Sequence, residues 1–175
     1  MNYATIKYND IANGTGVRTS LFVSGCTHRC KGCFNSEAWD FSYGLPFTEE
    51  VEEEILKSLE SDYIDGLSLL GGEPFEPSNQ KVLYPFLKKV KERYPTKDIW
   101  CYTGYLFDSE LLTQSRATTA VTKDMLSLID VLVDGKFIEE QKNISLAFKG
   151  SENQRIIDVQ NSLKQNKVIL VKDYE

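Results

Sequence analysis

The sequence predicts an α/β protein, an open partial β/α barrel of about five or six mostly parallel strands. Four short apolar runs, 19–25, 66–72, 98–104 and 130–135, read as buried strands. The last three begin 32 residues apart, the length of one strand–helix unit. The segments between them carry apolar residues at helical spacing. The chain has 175 residues, whereas a closed eight-unit barrel needs ~250, so only part of a barrel can form. No linker or low-complexity tract divides it, and 1–175 reads as one domain.

Each element follows from local chemistry. The first run, Thr19-Ser-Leu-Phe-Val-Ser-Gly25, lies 47 residues before the second, because that interval also holds a cysteine-rich loop. Thr48 can cap a helix whose Val51, Ile55, Leu56 and Leu59 share one side, with Glu49, Glu50, Glu52, Glu53 and Glu54 near its positive start. The glutamates read as a solvated helix face. Ser78 can open a second helix, with Val82, Leu83, Phe86, Leu87 and Val90 facing inward and Pro95 beyond its end. Pro85 falls inside that pattern and predicts a late start or a kink. Segment 109–129 reads as helical with weak patterning. Beyond the fourth run, a short helix near 159–163 leads to a last strand candidate at 167–172. Runs ending in glycine or a polar turn place ligands at the carboxyl edge of a parallel sheet.

Composition excludes several classes. Net charge is −6, which argues against a general nucleic-acid binder. The opening Met-Asn-Tyr-Ala-Thr-Ile-Lys-Tyr-Asn-Asp lacks a signal peptide's basic flank and apolar core, and no apolar run reaches membrane-span length. A cytoplasmic location is expected, in keeping with free cysteines and no membrane contact.

Three of the four cysteines stand in Cys26-Thr-His-Arg-Cys30-Lys-Gly-Cys33. Gaps of three and two residues let one short loop turn three sulfurs toward a common point. Three thiolates serve three irons of a [4Fe-4S] cluster and leave the fourth iron open, whereas electron-transfer clusters usually take four. An open metal position marks chemistry rather than scaffolding. The competing reading is a zinc site completed by His28 or Cys101, or a plain redox module. Structural zinc favours two separated pairs of ligands, and four ligands within eight residues would crowd one loop. After the second run stands Gly71-Gly72-Glu73-Pro74, where glycines admit a close approach of backbone to a ligand and Glu73 adds an acceptor. Alone it is a strand-to-helix turn. One strand–helix unit after the cysteines, it faces them across a shared cavity.

The triad and the Gly-Gly-Glu-Pro turn together resemble the radical S-adenosylmethionine superfamily. Further blocks cover nearly the whole chain: Asn13-Gly-Thr-Gly-Val-Arg-Thr19, Phe22 through Asn35, Lys97-Asp-Ile-Trp-Cys-Tyr-Thr-Gly-Tyr105, Val131-Leu-Val-Asp-Gly-Lys-Phe137 and Gly150-Ser-Glu-Asn-Gln-Arg155. They are similar to the glycyl-radical-enzyme activases that serve anaerobic ribonucleoside-triphosphate reductase. The superfamily commonly has an aromatic residue before its third cysteine; here Gly32 stands there and Phe34 follows, as in those activases. The resemblance implies a radical SAM fold and an oxidoreductase holding a [4Fe-4S] cluster on Cys26, Cys30 and Cys33, with S-adenosyl-L-methionine on the open iron. It implies reductive cleavage of that cofactor, and a 5′-deoxyadenosyl radical that makes a glycyl radical on the large reductase subunit. It also implies a flavodoxin or ferredoxin as electron donor.

Residue roles follow from the same resemblance. Gly71, Gly72 and Glu73 would meet the methionine amino group, and Gly32 and Phe34 would lie near the adenine. Asp134 and Lys136 resemble an Asp-x-Lys pattern beside the cofactor, with a strand-end ion pair as the plain reading. The Gly150–Arg155 block has no role legible in sequence. Read from the residues themselves, His28 suggests loop packing or a hydrogen bond to sulfur, Cys101 a buried core thiol, and Arg18 a surface side chain, with contact to a carboxylate as its alternative. Two other radical enzymes remain open: an activase of a different glycyl-radical enzyme, and a 7-carboxy-7-deazaguanine synthase-like enzyme. Both usually carry longer chains.

Overall fold

A computed structural model describes residues 1–175. Seven strands form one sheet: β1 (Asn2–Asp10), β2 (Arg18–Val23), β3 (Leu45–Pro46), β4 (Gly66–Gly71), β5 (Asp98–Tyr102), β6 (Val131–Asp134) and β7 (Arg155–Asp158). Their order is β3-β1-β2-β4-β5-β6-β7. The four apolar runs become β2, β4, β5 and β6, the parallel centre, while β1, β3 and β7 pair antiparallel at the flanks. The expectation of five or six mostly parallel strands is thereby corrected to a seven-stranded mixed sheet. It is open, since β3 and β7 each have one neighbour.

Four helices accompany the sheet: α1 (Glu49–Ser58), α2 (Pro77–Arg93), α3 (Thr122–Ser127) and α4 (Val159–Gln165). The central strands are covered on both faces, as parallel strands must be. Toward the helices, Leu21, Leu67, Leu69, Ile99 and Leu132 join Ile55, Leu56, Leu83, Phe86, Val90 and Met125 in the main core. On the opposite face Trp100, Val133 and Ile156 make a smaller cluster capped by Phe148 and Tyr174. Alternation with period two sends neighbouring residues of a strand to opposite layers.

Local expectations fare unevenly. Thr48 does cap α1, accepting the Val51 N–H at 3.3 Å. Its glutamates are more than a solvated face, because Glu52 pairs with Lys89, and Glu53 with Arg93 at 2.7 Å, tying α1 to α2. α2 begins at Pro77 and runs unbroken through Pro85. Pro85 and Lys81, whose carbonyl the ring leaves without its helical donor, both lie on the exposed side of the helix. Segment 109–129 yields only a wide turn at Phe107–Leu111 and the short α3. Residues 167–172 do not form a strand; Leu170 makes a single bridge to Ile157.

Arg18, expected at the surface, is fully buried. Its guanidinium donates to Ser68 Oγ at 2.7 Å, Thr15 O at 3.0 Å, Leu67 O at 2.9 Å and Asp98 Oδ1 at 2.5 Å, and lies over the Trp100 ring. It thus joins β2, β4 and β5 beneath the 13–17 loop. Arg18→Ala should cost about 3–5 kcal/mol in urea unfolding, because it leaves a carboxylate and buried carbonyls unpaired. A loss below ~1 kcal/mol would show that water replaces the guanidinium.

Candidate active site

The candidate site occupies the carboxyl edge of the parallel strands. β2 ends in Ser24 and Gly25, and the chain then makes the cysteine loop before returning beside its own start. Gly25 N–H donates to Ala38 O at 2.7 Å, and Cys26 N–H to Trp39 O at 3.2 Å. Within the loop a Cys33 N–H to Cys30 O bond of 3.2 Å makes a tight turn, and Arg29 and Gly32 take positive φ. A closed, internally turned loop of this kind presents its side chains in fixed directions.

The turn after β4 packs beneath this loop. Gly71 has φ of +107°, and a Cβ there would fall 2.6 Å from the Val23 backbone, so no larger residue fits. Gly72 N–H donates to Val23 O at 2.7 Å, and Glu73 N–H to Gly25 O at 2.8 Å. The Glu73 side chain is 1% exposed and accepts four hydrogen bonds. They come from Phe75 N–H at 2.9 Å, Thr103 Oγ1 at 2.8 Å, Gly104 N–H at 2.7 Å and His28 Nε2 at 2.7 Å. Glu76, also buried, accepts from both Thr27 N–H at 2.7 Å and Thr27 Oγ1 at 2.6 Å. Two carboxylates from one turn therefore grip the cysteine loop.

Above these turns lies a cavity of about 450 Å³. Cys26, Cys30, Cys33, Gly32, Phe34, Gly71, Gly72 and Glu73 all line it, over a floor that includes Leu70, Tyr102 and Val133. Asp134 and Lys136 do not. The Asp134 carboxylate is buried and accepts from Arg155 Nε at 2.9 Å and Phe107 N–H at 2.8 Å, the strand-end ion pair. Lys136 is exposed, and its charge acts on the Cys30 thiol. The Gly150–Arg155 block turns out to be a brace for the far wall. Gln154 receives Gly150 N–H at 2.8 Å and donates to Gly135 O at 2.9 Å, and Asn153 donates to Lys136 O at 2.8 Å. Sequence reasoning missed Thr103, Gly104, Lys142 and Lys149 in the lining or the Glu73 network. The Thr-Gly pair after β5 carried a signal, since it occupies the same strand-end position as Gly71-Gly72.

The donor set fits an iron–sulfur cluster. Cys26, Cys30 and Cys33 line one cavity, and no three cysteine, histidine or carboxylate side chains form a ready site for a single ion. A polynuclear cluster offers separate irons, so its thiolates surround it instead. The proposed fourth zinc ligands are both committed elsewhere. Cys101 is buried in the helix-side core, and both ring nitrogens of His28 are hydrogen-bonded.

A parallel-centred α/β sheet bearing three thiols at its carboxyl edge fits an iron–sulfur protein. The sequence profile of a family described as a 4Fe-4S single cluster domain matches residues 12–157. The chain is 49% identical over 158 residues to the anaerobic ribonucleoside-triphosphate reductase-activating protein of Haemophilus influenzae, covering 89% of this chain and 97% of that one. Against the proteins of that name from Escherichia coli K12 and Enterobacteria phage T4 it is 40% and 38% identical over 156 residues. Those matches cover 88% and 89% of this chain, and 96% and 93% of the relatives. The chain belongs to the family of anaerobic ribonucleoside-triphosphate reductase-activating proteins. No helix is long and apolar enough to cross a membrane.

Burial, with the Glu73 and Glu76 carboxylates adding to it, pushes the Cys26 thiol from 9.0 up to about 12. Burial also raises Cys30, Cys101 and Tyr105. In the metal-free protein Cys26 keeps its proton between about pH 9 and 12, where the unfolded chain has lost it, and the other raised groups act in the same direction. The unfolded state then binds fewer protons, so stability falls as pH rises through that window. Melting temperatures of the metal-free chain should decline from pH 9 upward, and Cys26→Ser should make the decline shallower; an unchanged slope contradicts the assignment.

Proposed function

We propose that this chain activates anaerobic ribonucleoside-triphosphate reductase as a radical S-adenosylmethionine enzyme, its open sheet being part of a barrel of that type. The observation that supports this most directly is the count of donors at the cavity. Three thiols face it beside Gly71-Gly72, while Cys101 and His28 are occupied elsewhere, so no fourth protein ligand is at hand. Cys26, Cys30 and Cys33 would hold a [4Fe-4S] cluster, which would supply the one-electron chemistry for reductive cleavage of S-adenosylmethionine and, through it, for glycyl-radical formation on the large reductase subunit. The electron comes from a low-potential donor of the flavodoxin or ferredoxin class, since such clusters reach several hundred millivolts below zero.

The chain's own residues bind and exclude. Glu73 spends its lone pairs on four protein donors, so the Gly71–Gly72 backbone is left to meet the methionine end of the cofactor. Gly32 and Phe34 are assigned to the adenosine side, and Leu70, Tyr102 and Val133 give the floor an apolar surface that keeps water out. Lys136, exposed and outside the lining, adds a positive charge near Cys30. Asp134 serves this end of the site indirectly, fixing β6 through Arg155. Phe34 and Ile144, 88% and 91% exposed at the lining, leave the mouth open to a macromolecule.

Anaerobic reconstitution should load about four irons and four sulfides per chain, against one ion for a zinc module. With S-adenosylmethionine, reductant and the reductase, the loaded protein should give a glycyl doublet in electron paramagnetic resonance. Cofactor cleavage without that doublet would refute the activase role. Cys26→Ala, Cys30→Ala or Cys33→Ala should each abolish it.

A further inference from the structure

We infer that His28 is a positioning residue, an imidazole of fixed tautomer that sets the cysteine loop against the Glu73 turn. In its effect on the cofactor this rests on the proposed function; in its geometry it does not.

His28 stands between two of the three thiols, so the path of the loop through Cys26 and Cys30 depends on where its ring is held. Thr27 and Arg29 on either side are exposed, yet the His28 side chain is only 3% exposed. Its Nε2 lies 2.7 Å from Glu73 Oε2, and its Nδ1 lies 3.0 Å from Arg116 Nη2. A guanidinium has only donors, so Nδ1 must accept and the ring proton must reside on Nε2, where it is donated to Glu73. The ring also packs edge-on against Tyr105, with centroids 4.4 Å apart, and the Arg116 guanidinium lies over that same Tyr105 ring. Gly104 completes the enclosure: a Cβ there would come 2.6 Å from the imidazole.

Four residues from three places in the chain, Glu73, Gly104 with Tyr105, and Arg116, therefore converge on one side chain. Simple loop packing does not require this, because Thr27 already anchors the loop to Glu76 through two hydrogen bonds. What His28 adds is direction. Glu73 simultaneously receives Gly104 N–H and Thr103 Oγ1, so the imidazole ties the cysteine loop to the ends of both β4 and β5. The sulfurs and the Gly71–Gly72 backbone then keep one separation, and a ligand bridging them meets a preformed gap.

His28 is the only histidine in the chain, so 15N-histidine labelling reports this ring alone, with or without a cluster. The Nε2–H tautomer is expected in the metal-free parent; an Nδ1–H tautomer or an averaging ring overturns the inference. In the reconstituted protein, His28→Ala should keep its iron and sulfide, since no ligand is lost, but bind S-adenosylmethionine about tenfold more weakly and shift the cluster's midpoint potential. His28→Gln, whose amide donates to Glu73 and accepts from Arg116, should restore both values. Arg116→Ala should shift them in the same direction by less. Parent-like affinity and potential in His28→Ala, or no rescue by glutamine, overturns the inference. Should His28→Ala fail to fold, an unshifted Arg116→Ala does so instead. A parent that takes up no cluster removes the proposed function, while the nitrogen spectrum still decides the tautomer.

Discussion

One buried carboxylate organises the working edge of this molecule. Glu73 sits under the cysteine loop with all its capacity committed: to its own turn through Phe75, to the end of β5 through Thr103 and Gly104, and to the loop through His28. An unpaired charge so deeply buried would be strongly destabilising, so the four donors must be in place together. Such a network has no partly formed version of comparable stability. The carboxyl ends of β2, β4 and β5 are thereby held as one unit, and three thiols are carried on it. Arg18 does the corresponding work lower down, joining the same three strands with a buried cation.

Between these two polar joints the sheet separates its functions by face. The helix side is a continuous apolar core, into which Cys101 disappears. The other side carries Leu70, Tyr102 and Val133 as a cavity floor, beneath the loop that contains Phe148 and Lys149. The alternation that builds both layers also decides which cysteine is chemistry and which is packing. Cys101 is on a strand and faces helices; the other three stand on a loop beyond a strand and face the cavity. The match to a 4Fe-4S single cluster domain is in keeping with that division, since a cluster is held by thiols outside the packed core.

Much of this was legible in the residues, and the failures have definite causes. The parallel centre was readable because strands covered on both faces are apolar without interruption, as Leu67-Ser-Leu-Leu70 nearly is. β1 was not, since Asn2-Tyr-Ala-Thr-Ile-Lys-Tyr-Asn-Asp10 is a half-exposed strand whose polar residues blur any alternation. β7 was hidden because four residues carry too little pattern, and its neighbours Asn153 and Gln154 act through side-chain bonds to backbone that no periodicity encodes. The cysteine triad was legible in its spacing and Gly71-Gly72-Glu73 in its place one strand–helix unit later, and both line one cavity, yet the direction of the Glu73 carboxylate was not legible. Which way a short acidic side chain turns depends on donors 30 residues further along the chain. Arg18 was misjudged for the same reason: its carboxylate partner, Asp98, is remote in sequence and adjacent only after β2, β4 and β5 have paired.

The proposed function requires an iron that the polypeptide leaves open for S-adenosylmethionine to bind. Electron–nuclear double resonance on the reduced, reconstituted protein tests this directly, using S-adenosylmethionine labelled with 15N at the methionine amino group. A nitrogen hyperfine coupling to the cluster is the predicted result. A cluster that shows no such coupling at saturating cofactor would contradict the account, and would mean that the fourth iron is already closed.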